Sequence, residues 1–529
     1  MTGPVGSALD AAHSLATMAA RGLLQPGRPD RVARQLLALR RWGYGIAAET
    51  RSAAAREPHR EAVIDPDGSL TYRELLNIAT DRALRWRDEG VGPGTRLGLL
   101  RRNGRDFIID LIAAGLLGAD MVLVNTSLSA AHIDAIVAEH RLTRLVHDDE
   151  FATIRPTPTS IPAPPPGPAT AAAPAVPRAS MPSRRLAKPR PLAPPQRDGR
   201  TIVLTSGTTG TPKGALRPAT PGLGPLISVI SKIPLRVGSR VMISAPMFHT
   251  WGLAGLQLAL AMRATIVLRP RFAAADVVDT LVLQRCDALF AVPVMLSRML
   301  DEPRRSTHLR VAAVSGSALP GDLAHRFMDA YGDVLYNLYG STEASWVSIA
   351  APADLRRDPT TAGRPPRGTV VQILDTDGQP AERGGIYVGN EMLFDGYTNG
   401  VDRDRRNGLL STGDIGHFDK DGLLFVDGRA DDMIISGGEN IYPSAVERVL
   451  AAVPGVDDVA VVGVPDAEFG QRLAAWVVCQ PGATLTADDV RAAVRAHLSA
   501  FCVPRDVHFI DELPRNATGK VVTRDLPGR

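Results

Sequence analysis

A chain of 529 residues is longer than one ordinary core and implies two or more domains. With 44% hydrophobic residues, 22% charged residues and a net charge of +4, it has the balance of a soluble globular protein, and no recognition motif points to nucleic acid. Three cysteines, Cys286, Cys479 and Cys502, lack metal or redox spacing, and no basic-then-apolar leader opens the chain, so a cytoplasmic protein without disulfides is expected.

Residues 1–60 hold nine arginines against four acids. Residues 1–50 read as a helical extension. Within it, Asp30 to Arg41 sets Val32, Leu36, Leu37 and Leu39 among Arg31, Arg34, Arg40 and Arg41. This is either a docking helix with solvated arginines, the preferred reading, or a basic amphipathic helix giving weak peripheral association with anionic lipid. Short apolar runs then alternate with helical patterns. Leu97–Leu100 precedes a helix over 105–117, and Met121–Val124 precedes one over 130–140. Such alternation predicts largely parallel sheets with helices on both faces.

Residues 151–200 break this order with fourteen prolines, eight basic residues and one acid. They are expected to be a disordered or polyproline-like insertion. A buried strand, Thr201–Leu204, leads straight into TSGTTGTPKG at 205–214. Glycines there let bare backbone N–H groups approach a polyphosphate, hydroxyls add donors, and Lys213 supplies a point charge. The lysine follows Pro212 and precedes Gly214, so this is not a Walker A loop.

Further strands are predicted at Val241–Ser244, Thr265–Leu268, Ala288–Val292 and Val311–Val314. The apolar stretch from Gly252 to Leu268 contains Gln257 and Arg263, and reads as a buried helix and strand rather than a membrane span. From about Thr369 short strands and glycine turns take over: Val370–Asp375, Gly385–Gly389 and Leu423–Val426. After Asp431 come helices over 443–453 and 487–498 and strands near 459–464, 474–479 and 507–510. The expected fold is α/β: a large N-terminal domain (51–430) of βα-layered sheets with a small β subdomain, followed by a mobile α+β domain (431–529).

Residues 205–214 resemble the phosphate loop of the adenylate-forming superfamily, which holds acyl-CoA synthetases, peptide-synthetase adenylation domains and luciferases. Tyr339-Gly340-Ser341-Thr342-Glu343 resembles its adenine and magnesium segment, and Ser411-Thr412-Gly413-Asp414 its ribose segment. Gly428-Arg429-Ala430-Asp431-Asp432 resembles its hinge, and Pro514-Arg515-Asn516-Ala517-Thr518-Gly519-Lys520 its C-terminal lysine loop. Each piece alone is weak. Five in the family's order over more than three hundred residues are specific, and the resemblance spans roughly residues 50–150 and 200–526.

The resemblance implies ATP, Mg²⁺ and coenzyme A as cofactors, and a carboxylate substrate that itself attacks the α-phosphate, so no nucleophilic side chain is required. It assigns ATP or AMP binding to Thr205, Ser206, Gly207, Thr208, Thr209, Gly210, Lys213, Gly316, Ser317, Ala318, Asn337, Tyr339, Gly340, Ser341, Thr342, Asp414, Arg429 and Lys520. Glu343 with Thr205 would hold Mg²⁺, Tyr339 would stack on adenine, and Asp414 would accept both ribose hydroxyls. Lys520 would reach the α-phosphate, Asp431 would be the hinge, and Gly437, Gly438 and Glu439 would line the CoA path. His249, Trp251 and Gly316 would bind the acyl group. The segment Pro246-Met247-Phe248-His249-Thr250-Trp251-Gly252 resembles that of fatty acyl-CoA synthetases, and a fatty acid–CoA ligase is expected. An enzyme loading a carrier protein with an acyl group is the alternative, and an inactive nucleotide-binding scaffold is the reading from another class.

Overall fold

The computed structural model describes residues 4–152, 192–205, 213–220, 222–430, 434–436, 439–466, 470–498, 502–516 and 519–528. The expected disorder of 151–200 therefore falls mostly outside the described residues, as do Ser206 to Gly210, Asp431, Gly437 and Gly438. The chain packs as two compact units. One comprises residues 27–220 with 397–399; the other comprises residues up to 26, 221–396 and those from 400 onward. The first helix, α1 (Pro4–Ala20), belongs to the latter unit.

The unit of residues 27–220 opens with α2 (Pro29–Trp42) and α3 (Ile46–Arg56). In α2 the partly covered Val32, Gln35, Ala38, Leu39 and Trp42 recur at helical spacing, whereas Leu36 and Leu37 are exposed. The helix packs on α3, with the Arg51 guanidinium 4.0 Å from the Trp42 ring centroid. A hairpin of β1 (Glu61–Asp65) and β2 (Gly68–Thr71) follows. Next come α4 (Tyr72–Asp88), β3 (Arg96–Leu100), α5 (Arg105–Leu117), β4 (Asp120–Leu123), α6 (Ala130–Glu139) and β5 (Arg144–His147). The antiparallel pair β6 (Thr201–Thr205) and β7 (Lys213–Leu216) closes the series.

The sheet runs β5-β3-β4-β6-β7, parallel except for its last pair. Helix α4 starts with a capping box, Thr71 and Glu74 each accepting from the other's backbone N–H. Beneath the sheet, Asp110 of α5 is fully buried and takes Arg101 at 2.5 Å and Arg82 as partners. Two guanidiniums on one carboxylate compensate the desolvation that pushes the Asp110 pKa upward.

The other unit repeats βα alternation: α7 (Gly224–Lys232), β8 (Arg240–Ile243), α8 (Thr250–Ala261), β9 (Thr265–Leu268), α9 (Ala274–Leu283), β10 (Ala288–Ala291), α10 (Pro293–Leu300), β11 (Val311–Val314), α11 (Gly321–Tyr331), β12 (Leu335–Tyr339), β13 (Ser348–Ala350) and α12 (Pro352–Arg357). The strands lie in the order β13-β12-β11-β10-β8-β9, and all but β13 are parallel. Strands β8 to β11 are almost wholly buried, as strands covered on both faces must be. The stretch from Gly252 to Leu268 is thus helix α8 and strand β9, as its interrupted hydrophobicity predicts. Among the described residues no helix is long and apolar enough to cross a membrane.

The glycine-rich strands form a separate sheet of β14 (Val370–Leu374), β15 (Arg383–Gly389), β16 (Arg405–Arg406), β17 (Leu409–Phe418) and β18 (Leu424–Arg429). The C-terminal part follows with β19 (Ile434–Ser436), β20 (Glu439–Ile441), α13 (Pro443–Ala451), β21 (Val456–Asp466), β22 (Gly470–Cys479), α14 (Ala487–His497) and β23 (Asp506–Phe509). Alternate side chains of β22 serve two cores. Leu473, Ala475 and Val477 pack with Val446 and Leu450 of α13 and with Val490 and Val494 of α14. Ala474, Trp476 and Val478 pack with Leu513 and Leu526. The Trp476 indole N–H donates to the Pro527 carbonyl at 2.9 Å. Both ends of the segment carrying Lys520 are therefore anchored on one face of this sheet.

Candidate active site

In a parallel sheet the loops leaving the carboxyl ends of the strands enclose the binding crevice. Here β8 leads to His249, β10 to Val292 and Val294, β11 to Ser315–Ala318, and β12 carries Asn337 and Tyr339 into Gly340–Glu343. The structure thus brings together the sequence-assigned residues of three separate segments. Gly316 has φ +95° and a would-be Cβ no closer than 3.6 Å to Val292, so conformation rather than crowding selects glycine. Gly316 and Ala318 are exposed and Ser317 partly so.

The turn after β12 is tight. A Cβ on Gly340 would meet the Ser345 carbonyl oxygen at 2.2 Å, so only glycine fits. Ser341 Oγ accepts from the Ala344 N–H at 3.1 Å, and Ser345 takes φ +62°. Thr342 Oγ1 lies 2.9 Å from Thr250 Oγ1, tying the turn to the start of α8. Glu343 is buried, 5% exposed, and its Oε1 lies 3.5 Å from Arg403 Nη2.

Tyr339 and Asp414 are joined directly, the phenol donating to the carboxylate. Burial and the Asp414 charge push the phenol pKa well up, so it stays a donor. Asp414 faces Arg429 across the β17–β18 pairing, with Oδ1 3.6 Å from Arg429 Nη1. The ribose-type and hinge-type motifs are therefore register partners, a relation their separation in sequence conceals.

Lys520 is exposed, and its turn is held by Asn516 and Arg515. Asn516 Oδ1 accepts from the Lys520 N–H at 3.0 Å, the Asn516 N–H donates to the Lys520 carbonyl at 2.9 Å, and Arg515 pairs with Asp458 at 2.6 Å. Gly519 has φ +80°, and its would-be Cβ would lie 2.6 Å from Val294 Cγ1 and 3.9 Å from Val292 Cγ2. The lysine turn thus abuts the segment after β10 that also neighbours Gly316.

His249 caps α8 at φ −100°, its ring 4.6 Å from that of Phe248. Nε2 is fully covered and has no hydrogen-bond partner among the described residues. Burial lowers the pKa to about 4, so the imidazole is neutral at neutral pH. Trp251 is buried against Phe290 at 5.1 Å and donates its indole N–H to the Ala291 carbonyl at 2.9 Å. A Cβ on Gly252 would lie 2.3 Å from the Pro246 carbonyl oxygen and one on Gly255 3.0 Å from Phe290. Gly252 is thus required by the close pass of the loop backbone after β8, and Gly255 by Phe290 of β10.

The His249 shift has a consequence for stability. The unfolded imidazole takes its proton near the ordinary 6.5, the folded one only near 4. Between those values the unfolded state holds more protons, so the contribution is complete above pH 6.5 and is lost as pH falls toward 4. The loss is on the order of 3 kcal/mol. Urea denaturation at pH 7 and pH 4.5 is expected to show a smaller acid loss for His249→Gln than for the parent; equal losses would refute it.

In the other unit, Thr205 and Lys213 are register partners closing the loop between β6 and β7, and the Lys213 Nζ lies 5.7 Å from the Tyr397 ring centroid. The backbone of Glu439 begins β20.

No group of three or more His, Cys, Asp or Glu side chains able to hold a metal occurs among the described residues. A lone buried Glu343 suits Mg²⁺, which takes one or two protein oxygens and completes its shell with phosphate and water. Arg403 was not singled out by sequence. Its DRDRRN setting reads as a solvated charge run, and no local signal points to Glu343.

The comparisons fit this geometry. The AMP-binding enzyme family model matches residues 50–398, and the AMP-binding enzyme C-terminal domain model matches 445–520. Feruloyl-CoA synthase of an Amycolatopsis species is 32% identical over 488 residues, covering 90% of this chain and 97% of that protein. Indoleacetate–CoA ligase of Aromatoleum aromaticum is 31% identical, covering 89% and 96%. The structure of o-succinylbenzoate CoA synthetase from Bacillus subtilis with its acyl-adenylate intermediate superposes with a TM-score of 0.77 at 26% identity, covering 91% and 98%.

Proposed function

The chain belongs to the AMP-binding enzyme family, and from that membership we propose that it is an AMP-forming acid–thiol ligase joining a hydrophobic carboxylic acid to coenzyme A. The observation that carries the reading is the convergence of Gly316–Ala318, Tyr339–Glu343, Asp414 with Arg429, and the Lys520 turn within one unit.

The reaction has two halves. In the first, the substrate carboxylate attacks the α-phosphate of ATP, the bond to the β-phosphate breaks, and pyrophosphate leaves. The barrier is largely repulsion among anions, so cations and N–H dipoles dominate. Lys520 supplies a cation at the α-phosphate and carboxylate. Asp414 accepts the ribose hydroxyls, Tyr339 packs against adenine, and Arg429 contacts ribose and phosphate. Glu343 would hold Mg²⁺, which neutralises phosphate charge when bound. In the second half, the CoA thiol displaces AMP from the acyl group. Residues from Asp431 onward act as a lid that turns to withdraw Lys520 and admit CoA past Gly437, Gly438 and Glu439.

His249, neutral and with an unsatisfied Nε2, offers the acyl group one polar contact in an apolar wall. The relatives named for feruloyl, indoleacetyl and succinylbenzoyl substrates favour an aryl or similarly bulky acid. The resemblance of residues 246–252 to fatty acyl-CoA synthetases favours an aliphatic one, at roughly 0.8 kcal/mol per buried methylene. Measuring kcat/KM for straight-chain acids, cinnamic and arylacetic acids, and amino acids separates them. A preference for either hydrophobic class is expected; a best substrate that is an amino acid would overturn the assignment.

A further inference from the structure

Arg403 stands where two parts of the candidate site meet. Its Nη2 is 3.5 Å from Oε1 of the buried Glu343, and its Nη1 donates to the Thr412 carbonyl at 3.1 Å. Thr412 lies two residues before Asp414. A Cβ on Gly413 would lie 2.8 Å from Arg403 Nη1 and 3.4 Å from Arg429 Nη2, so two guanidiniums crowd the same point. The two arginines thus stand between Asp414 and Glu343, the carboxylates that the reading above gives to ribose and to metal. The Arg403 side chain is 26% exposed, and a guanidinium matches phosphate oxygens in pairs.

A buried carboxylate needs a compensating cation, and Arg403 is one for Glu343. A divalent cation on Glu343 would repel that guanidinium at such a distance. We propose that Arg403 is a further nucleotide-phosphate-binding residue: it neutralises Glu343 in the ligand-free protein and exchanges that carboxylate for the triphosphate when nucleotide enters, with or without its metal. This rests on the reading of Glu343 and Asp414 given above.

The test is metal-free binding of ATP to the full chain in EDTA, measured by isothermal titration calorimetry. Arg403→Ala should raise the dissociation constant about tenfold, the size of one lost charge-assisted contact, and Arg403→Lys should raise it less. Glu343→Gln should lower it, because Arg403 no longer has a carboxylate to leave. The double variant should fall between the two singles. An unchanged constant in Arg403→Ala, or a rise in Glu343→Gln as large as that in Arg403→Ala, would overturn the proposal. The underlying reading fails with a separate signature. If Glu343→Gln leaves the Mg²⁺ dependence of pyrophosphate exchange unchanged, Glu343 is not the metal ligand, and the exchange falls with it.

Discussion

Lys520→Ala is expected to slow acyl-adenylate formation by about 10²–10³-fold, or ~3–4 kcal/mol, by analogy with loss of one preorganised donor at a developing charge. It should leave thioester formation from supplied acyl-AMP close to the parent rate. Lys520 is a single exposed cation on a turn braced by Asn516 and by the Arg515–Asp458 pair, and Gly519 seats that turn against Val294. Truncation beyond Cβ removes the charge and no packing, so the fold should persist. Rates of adenylation and of thioesterification, each measured alone, give the test. If both fall equally, Lys520 is not specific to the first half-reaction.

Glu343→Gln is expected to lower the adenylation rate by on the order of 10²-fold or more, since metal stabilisation of phosphate charge contributes several kcal/mol. It should also raise the Mg²⁺ concentration for half-maximal rate. The amide is nearly isosteric, and Arg403 keeps its bond to the Thr412 carbonyl, so melting temperature should move little. Pyrophosphate exchange titrated with Mg²⁺ reads the effect. A rate loss with an unchanged Mg²⁺ midpoint would assign Glu343 to something other than the metal.

The sequence was most legible where one element was strongly biased. Val311–Val314 and Thr265–Leu268 are continuous apolar runs with β-branched residues, and both are buried parallel strands. Helix α5 over 105–117 was legible from the dense apolar pattern of Phe107 to Leu117. Short strands such as β16, two residues long, depend on partners rather than on their own pattern. The site motifs were legible as chemistry but not as geometry. Nothing local says that Tyr339 donates to Asp414, that Asp414 pairs in register with Arg429, or that Gly519 rests on Val294. Arg403 is the extreme case: its partners Glu343 and Thr412 come from different elements, and its own neighbourhood looks like solvated charge.

The most direct measurement of the central claim is mass spectrometry of the products formed from ATP, Mg²⁺, CoA and a mixture of aliphatic, aryl and amino acids. The account predicts AMP, pyrophosphate and the CoA thioester of a hydrophobic acid, with acyl-AMP detected when CoA is withheld. ADP with phosphate, or acyl-AMP that accumulates in the presence of CoA without any thioester, would contradict it.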